Sequence, residues 1–297
     1  MAHIHQTLGR RVSSKVKLFI LAFLVLAMTV GAWLMYRHDE LQHKDVLLLG
    51  HAGSGFFSPF NPFNPLPSNS MASIVKAMEE HNADGVEVDV QLSQDGVPIL
   101  YHDVTLESST HAEGIIDNLQ AEEVVGLKYS GGLFYDLFHD EEIITLEALL
   151  KRFATYPELP YLHLDLRNHN PERHSYYAQT LMSLLRKYNY PLQRITFISP
   201  NPQFLKAFRE VEPQAQLMID TGGNFEQALQ EARIHELQGI CANGRDVTAE
   251  HVERAKEQGL QVALFGGKSR SRIARMINMK PHAIQVNNVE AMRDMLD

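Results

Sequence analysis

The stretch GVEVDVQLSQDGVPILYHD, residues 85–103, decides the fold. Its first eight residues form an apolar, valine-rich run interrupted by Glu87 and Asp89, the composition of a strand buried on both faces. The turn SQDG follows, and VPILYH returns from it to end at His102. Apolar runs of the same kind recur on either side. DVLLLGH (45–51) precedes it, and PYLHLDLR (160–167), RITFIS (194–199), QLMID (216–220), GICAN (239–243), QVALFGG (261–267) and HAIQVN (282–287) come after. Between them lie amphipathic segments such as SIVKAMEEHN, YYAQTLMSLLRKY, PQFLKAFREV and TAEHVERAKEQ. Eight strands separated by helices in about 250 residues predict an α/β fold, a (β/α)8 TIM barrel. The segment from Asp103 to Glu142 then reads as an insertion after the second strand, with a helix expected at AEEVVGLKY and a Gly-Gly turn at 131 and 132. A doubly wound open sheet is the alternative, but its glycine-rich dinucleotide fingerprint is missing, because no helix follows the glycines of GHAGSGFF.

The 297 residues are 44% hydrophobic, enough for one sizeable core. A single cysteine, Cys241, excludes an internal disulfide framework, and inside GICAN it reads as a small buried side chain. From Leu18 to Tyr36 no charge occurs for 19 residues, the length of a membrane-crossing helix. Arg10, Arg11, Lys15 and Lys17 precede it, and no acidic residue occurs before Asp39. The positive-inside rule therefore predicts a cytoplasmic tail at 1–17, a transmembrane anchor at 18–36 and a linker at 37–44. The domain at 45–297 is expected outside the cytoplasm, periplasmic in a bacterium. A cleaved signal peptide has the same charged start, with Val30-Gly31-Ala32 as its cleavage site, but the apolar run continues past that point. Against 27 basic residues stand 36 acidic ones, for a net charge of −9. So acidic a chain argues against a nucleic-acid partner and suits a pocket that gathers a divalent cation. The proline-dense segment FFSPFNPFNPLPSNS (56–70) cannot be helical and predicts a loop on the active-site face, either a lid or a lipid contact.

Residues two apart on a strand share a face, so Glu87 and Asp89 point together into the barrel near the strand's carboxyl end. Two buried carboxylates repel unless a cation or proton lies between them. Asp165, in YLHLDLR, takes the corresponding place on the next barrel strand, and three such oxygens suit Ca²⁺ or Mg²⁺. Its other reading is an ion pair with Arg167. His51 ends the first strand and His102 ends the return from SQDG, which brings both to the same rim. Two histidines beside a metal-bound phosphate can divide proton removal and proton delivery between them. Most of the 15 histidines read as surface or structural, and His3, His5, His38, His43, His169 and His174 lie in stretches that read as tail, linker or loop.

These residues resemble the glycerophosphodiester phosphodiesterase family of the phospholipase-C-like barrel phosphodiesterases. The resemblance rests on His51-Ala52-Gly53, Pro67-Ser68-Asn69-Ser70, Ala83-Asp84-Gly85-Val86-Glu87-Val88-Asp89-Val90, Asp95-Gly96, His102-Asp103 and Leu164-Asp165-Leu166-Arg167. It implies a divalent metal on Glu87, Asp89 and Asp165, His51 and His102 as the acid–base pair, and Arg167 and Asn69 near the substrate phosphate. It also implies hydrolysis of a glycerophosphodiester to glycerol 3-phosphate and an alcohol, through attack by the neighbouring glycerol hydroxyl. Ala52 stands where the family carries arginine, Ser68 where it carries glutamate, and Asp165 and Arg167 where it carries glutamate and lysine. ALFGGK replaces the late Trp-Thr-x-Asn, and Val286-Asn287 the final Thr-Asp. Two further readings stay open beside this one: a phospholipase D- or C-type hydrolase of a membrane (lyso)phospholipid, and a non-catalytic ligand-binding homologue.

Overall fold

The computed structural model describes residues 13–42, 45–56, 66–131, 133–167 and 170–297. The expected tail before residue 13 and the Phe-Pro segment at 57–65 lie outside the described residues. The chain divides into two units, Met1–His43 and Lys44–Asp297. Among the described residues of the first, a helix spans Ser14–Gln42, continuing through most of the stretch read as a linker. Its portion Ser14–Trp33 has a mean hydropathy of 2.2 and buries nothing within the chain.

The second unit is the expected barrel. Its strands are β1 (Leu47–Gly50), β2 (Gly85–Leu92), β3 (Pro98–Leu100), β4 (Tyr161–Leu166), β5 (Ile195–Ser199), β6 (Gln216–Asp220), β7 (Gly239–Asn243), β8 (Gln261–Gly266) and β9 (Ala283–Val286). All but β3 run parallel, in the order β1-β9-β8-β7-β6-β5-β4-β2, and the pairing of Leu49 with Gly85 and Gly50 with Val86 closes the ring. Closure removes both sheet edges, so no open doubly wound sheet forms. Every barrel strand is followed by a helix before the next, and the last of these, Val289–Leu296, covers β1. Outward-facing Val86, Val88 and Val90 are wholly buried beneath this layer.

Inside the ring, Leu49, Ile198, Met218, Cys241, Ala263 and Ala283 form a compact apolar plug. Cys241 is thus the small buried side chain its context implied, and burial pushes its thiol well above the usual range. Above the plug the lining turns polar: His163 Nδ1 lies 2.9 Å from Gln285 Nε2 across the barrel. Burial lowers the His163 imidazole to about 3, so this ring is neutral, and its Nδ1 accepts from the amide.

β3 lies outside the ring, antiparallel to β2, with Val90 opposite Leu100 and Leu92 opposite Pro98. The insertion that follows it packs a separate small core of Ile99, Tyr101, Leu106, Ile116, Val124, Tyr129, Tyr135 and Ile143. It contains short helices at Ala121–Val124 and Leu133–Phe138, the first ending well before the run AEEVVGLKY does. One histidine departs from expectation. His174, read as a loop residue, begins the helix His174–Lys187 and stacks on Phe204 with ring centroids 4.3 Å apart.

Candidate active site

Strand pairing assembles the carboxylates. In the parallel register of β2 and β4, Glu87 lies opposite His163 and Asp89 opposite Asp165. Neighbouring positions of a parallel pair point the same way, so Glu87, Asp89 and Asp165 converge and offer oxygens all within 4.8 Å of one another. Glu87 and Asp89 are almost completely buried. Burial first, and then Asp89 and Asp165, push the Glu87 carboxyl well above its ordinary range. Asp165 is raised to about 7, chiefly by burial, with Arg167 opposing and Asp89 and Asp220 adding to the rise.

Arg167 answers part of this charge. Its Nη2 lies 2.8 Å from Asp89 Oδ1 and 2.7 Å from Asp165 Oδ2, so Asp165 pairs with Arg167 while remaining within reach of the other two carboxylates. Burial disfavours the guanidinium charge, but Asp89, Asp165 and Glu87 outweigh it and keep the group protonated. One cation among three carboxylates leaves negative charge uncompensated, and the buried Asp165 Oδ1 accepts no hydrogen bond. Three hard oxygen donors, surplus negative charge and an orphaned oxygen fit a divalent cation, which Glu87, Asp89 and Asp165 would hold.

The ligand oxygens are themselves oriented. Ala52 N donates to Glu87 Oε2 at 2.8 Å from a left-handed turn (φ 49°), so the position where arginine was expected supplies a backbone donor. Gly55 lets that turn close, since a Cβ there would lie 2.4 Å from the Asn287 carbonyl oxygen. Asn69 Nδ2 donates to Asp89 Oδ2 at 2.8 Å, and its Oδ1 accepts from Asp89 N at 3.0 Å. Asn69 is fully buried, so its side chain is committed to Asp89 instead of facing the cavity as a phosphate contact would.

The histidines reach the same space from opposite sides. A cavity of about 190 Å³ is lined by His51, His102, Glu87, Asp165, Arg167 and Asp220 among others. His51 Nδ1 lies 2.8 Å from Asn287 Oδ1, which can only accept. The proton of the neutral ring therefore sits on Nδ1, and Nε2 is the free basic nitrogen, 3.8 Å from Glu87 Oε2. Burial lowers this imidazole to about 4. His102 Nδ1 contacts Asp103 Oδ1 at 2.8 Å, and Ser109 Oγ donates to the other Asp103 oxygen at 3.2 Å. Phe56 stands edge-on between the two rings, 4.8 Å from His51 and 5.0 Å from His102.

The profile of the glycerophosphoryl diester phosphodiesterase family matches residues 57–291. The chain belongs to this family. A glycerophosphodiester phosphodiesterase of Caldanaerobacter subterraneus is 27% identical over 152 residues, covering 51% of this chain and 60% of that protein. The mouse glycerophosphodiester phosphodiesterase 1 is 37% identical over 82 residues, 27% of this chain and 24% of its own length. The chain thus spans 60% and 24% of the lengths of these two relatives. Among solved structures, a glycerophosphodiester phosphodiesterase of Parabacteroides distasonis superposes with a TM-score of 0.69 at 23% identity, covering 85% of this chain and 97% of that one. A phosphodiesterase of Oleispira antarctica in complex with the product sn-glycerol-3-phosphate gives 0.71 at 20%, covering 84% and 96%.

In this member of the family, Phe56, Gln91, Asp103, Asp220 and Asn287 also shape the site. Asp220 and Asn287 sit at or just past strand ends, a signal that was open to reading; Gln91 shares the face of Glu87 and Asp89. Its amide donates to the carbonyls of Tyr101 at 2.9 Å and Asp103 at 2.7 Å, pinning the segment that presents His102. Removing the Asn69 side chain tests the support of Asp89. Asn69→Ala is expected to cost about 1–3 kcal/mol, the range for leaving buried partners unsatisfied. Thermal unfolding in EDTA reads that loss, and an unchanged midpoint would rule out the supporting role.

Proposed function

We propose that the chain is a membrane-anchored, metal-dependent hydrolase that cleaves glycerophosphodiesters to glycerol 3-phosphate and an alcohol. The observation that carries this reading is the pair His51 and His102, each fixed at Nδ1 by its own partner and each lining one cavity beside the carboxylate trio. The glycerol hydroxyl next to the ester attacks phosphorus, and one imidazole takes its proton at Nε2. The other gives a proton to the departing alcohol oxygen as its P–O bond breaks, leaving a cyclic phosphate. Water then opens the ring with the two roles exchanged. Holding the hydroxyl beside phosphorus makes the first step intramolecular. Glu87, Asp89 and Asp165 would hold a divalent cation, Ca²⁺ or Mg²⁺, which would neutralise charge on the phosphoryl oxygens when bound. Arg167, already at the trio, contributes a further positive charge toward the phosphate, and Asn69 acts by holding Asp89.

The detergent-solubilised chain is expected to release choline from glycerophosphocholine with Ca²⁺ or Mg²⁺ and to stop in EDTA. Absence of turnover across a panel of glycerophosphodiesters with either cation would overturn the reading. The anchor rests on the apolar helix Ser14–Trp33 and the basic residues before it. The full chain should resist alkaline extraction from membranes, with a reporter at its C-terminus active only outside the cytoplasm. Release by alkali, or a cytoplasmic C-terminus, would refute the topology.

A further inference from the structure

Beside the cavity of the carboxylate trio lies a larger one, about 560 Å³, at the carboxyl ends of β7, β8 and β9. The two share His51 and Phe265 in their walls, so they adjoin. Their charge is opposite. No carboxylate lines the larger cavity, whereas Arg245, Lys268, Arg272 and Arg275 all do. Among the described residues none of these four is held in an ion pair, unlike Arg270, which meets Asp294 nearby. Arg275 is steadied by donating to the Val247 carbonyl at 3.0 Å. In a chain of net charge −9, four uncompensated cations around one hollow are a local inversion of the field.

The backbone makes room for a ligand there. Gly266 ends β8, and a Cβ added to it would approach nothing closer than Asn243 Oδ1 at 3.8 Å. In Gly266-Gly267-Lys268 the first two positions add no side chain to the wall and the third adds a cation.

We propose that this cavity receives a second anionic group on the substrate, a phosphomonoester or carboxylate carried by one of the two alcohols of the diester. The inference rests on the hydrolytic reading of the adjoining site and names its substrate class. A diester bound at His51 and His102 extends past His51 and Phe265, and its terminal anion meets Lys268, Arg272 and their neighbours. Choline, which ends in a cation, is the wrong complement for this wall, so glycerophosphocholine is the weaker substrate.

Glycerophosphoglycerol and its terminal phosphomonoester form a matched pair of probes for the full chain. The phosphomonoester is expected to have the higher kcat/KM by about 10-fold or more, the worth of one or two charge-assisted hydrogen bonds. Lys268→Glu/Arg272→Glu should collapse that ratio to unity or below, and the milder Lys268→Gln/Arg272→Gln, with its thermal midpoint checked, guards against loss by misfolding. Equal kcat/KM for the two probes, or a ratio unaltered in both double variants, overturns the inference. If neither probe is turned over, the hydrolytic reading fails separately. Calorimetry on the His102→Ala chain then decides: preferential binding of the phosphomonoester that disappears with Lys268→Glu/Arg272→Glu sustains the anion site, and equal binding refutes it. Inorganic phosphate bound at the same cations without any preference between the diesters would mark a free-anion site and refute the substrate assignment.

Discussion

His102→Ala is expected to lower the rate of alcohol release by about 10²–10⁴-fold, the range over which a positioned acid or base contributes. The loss should come without unfolding. The His102 side chain is about one third exposed, so the thermal midpoint should stay near that of the parent. His51→Ala should fall in the same range, and the double variant should be little worse than either single one, because proton removal and delivery act on one transition state. Asp103→Asn supplies the finer test. It keeps the size of the side chain but replaces the acceptor at 2.8 Å with an amide that can turn its NH₂ toward Nδ1, freeing the ring to swing from the cavity. Activity intermediate between the parent and His102→Ala supports an orienting role. Retention of a tenth or more of the parental rate by His102→Ala would remove this histidine from the chemistry.

The barrel was legible because its signal is repeated eight times. Each strand, from VLLLG to AIQV, is short and largely apolar, and each is followed by an amphipathic segment, so a misreading of any one would not have altered the fold class. Elements whose signal is single were read less well. The helices Leu133–Phe138 and Val289–Leu296 went unrecognised, and the run AEEVVGLKY yields only one helical turn. The insertion forms by packing its own small core of tyrosines and isoleucines, and no local periodicity announces that.

The candidate site divides along the same line. Glu87, Asp89 and Asp165 follow from strand periodicity and from the order of strands, both of which are written in the chain. What orients them comes from contacts far apart in sequence. Asn69 reaches Asp89 across a turn, Asn287 meets His51 from the opposite end of the chain, and Arg167 bridges two strands. Asn69 illustrates the difficulty: the resemblance implied a phosphate contact, yet a left-handed backbone (φ 63°) turns its amide inward onto Asp89. The stretch 85–103 forms a hairpin that also carries part of the candidate site. Pairing of Val90 with Leu100 returns the chain, and Gln91 then fixes the carbonyls that flank His102.

Binding of Ca²⁺ or Mg²⁺ should stabilise the chain strongly, and more so as the pH rises. A carboxyl whose folded value is raised contributes stability that is fully present below its unfolded value and is lost as pH climbs through the folded one. For Asp165 that window runs from the ordinary carboxylate range up to about 7, and Glu87 shifts in the same direction. Without a divalent cation the trio therefore costs most above neutrality, where burial and mutual repulsion oppose full ionisation and Arg167 offsets only part of it. A cation must displace those protons at low pH but finds the ligands already ionised at high pH. At a hundredfold excess over Kd the gain is about 2.7 kcal/mol. For a domain of this size that corresponds to a midpoint shift of roughly 5–10 °C. Thermal unfolding at pH 8 with Ca²⁺ or Mg²⁺ against EDTA should show this shift, and the same comparison at pH 5 should show much less. Asp89→Asn should abolish the response at both values, since it removes the carboxylate that both Asn69 and Arg167 contact. A cation effect that is equal at pH 5 and pH 8, or that survives Asp89→Asn, would place the ion elsewhere on the molecule.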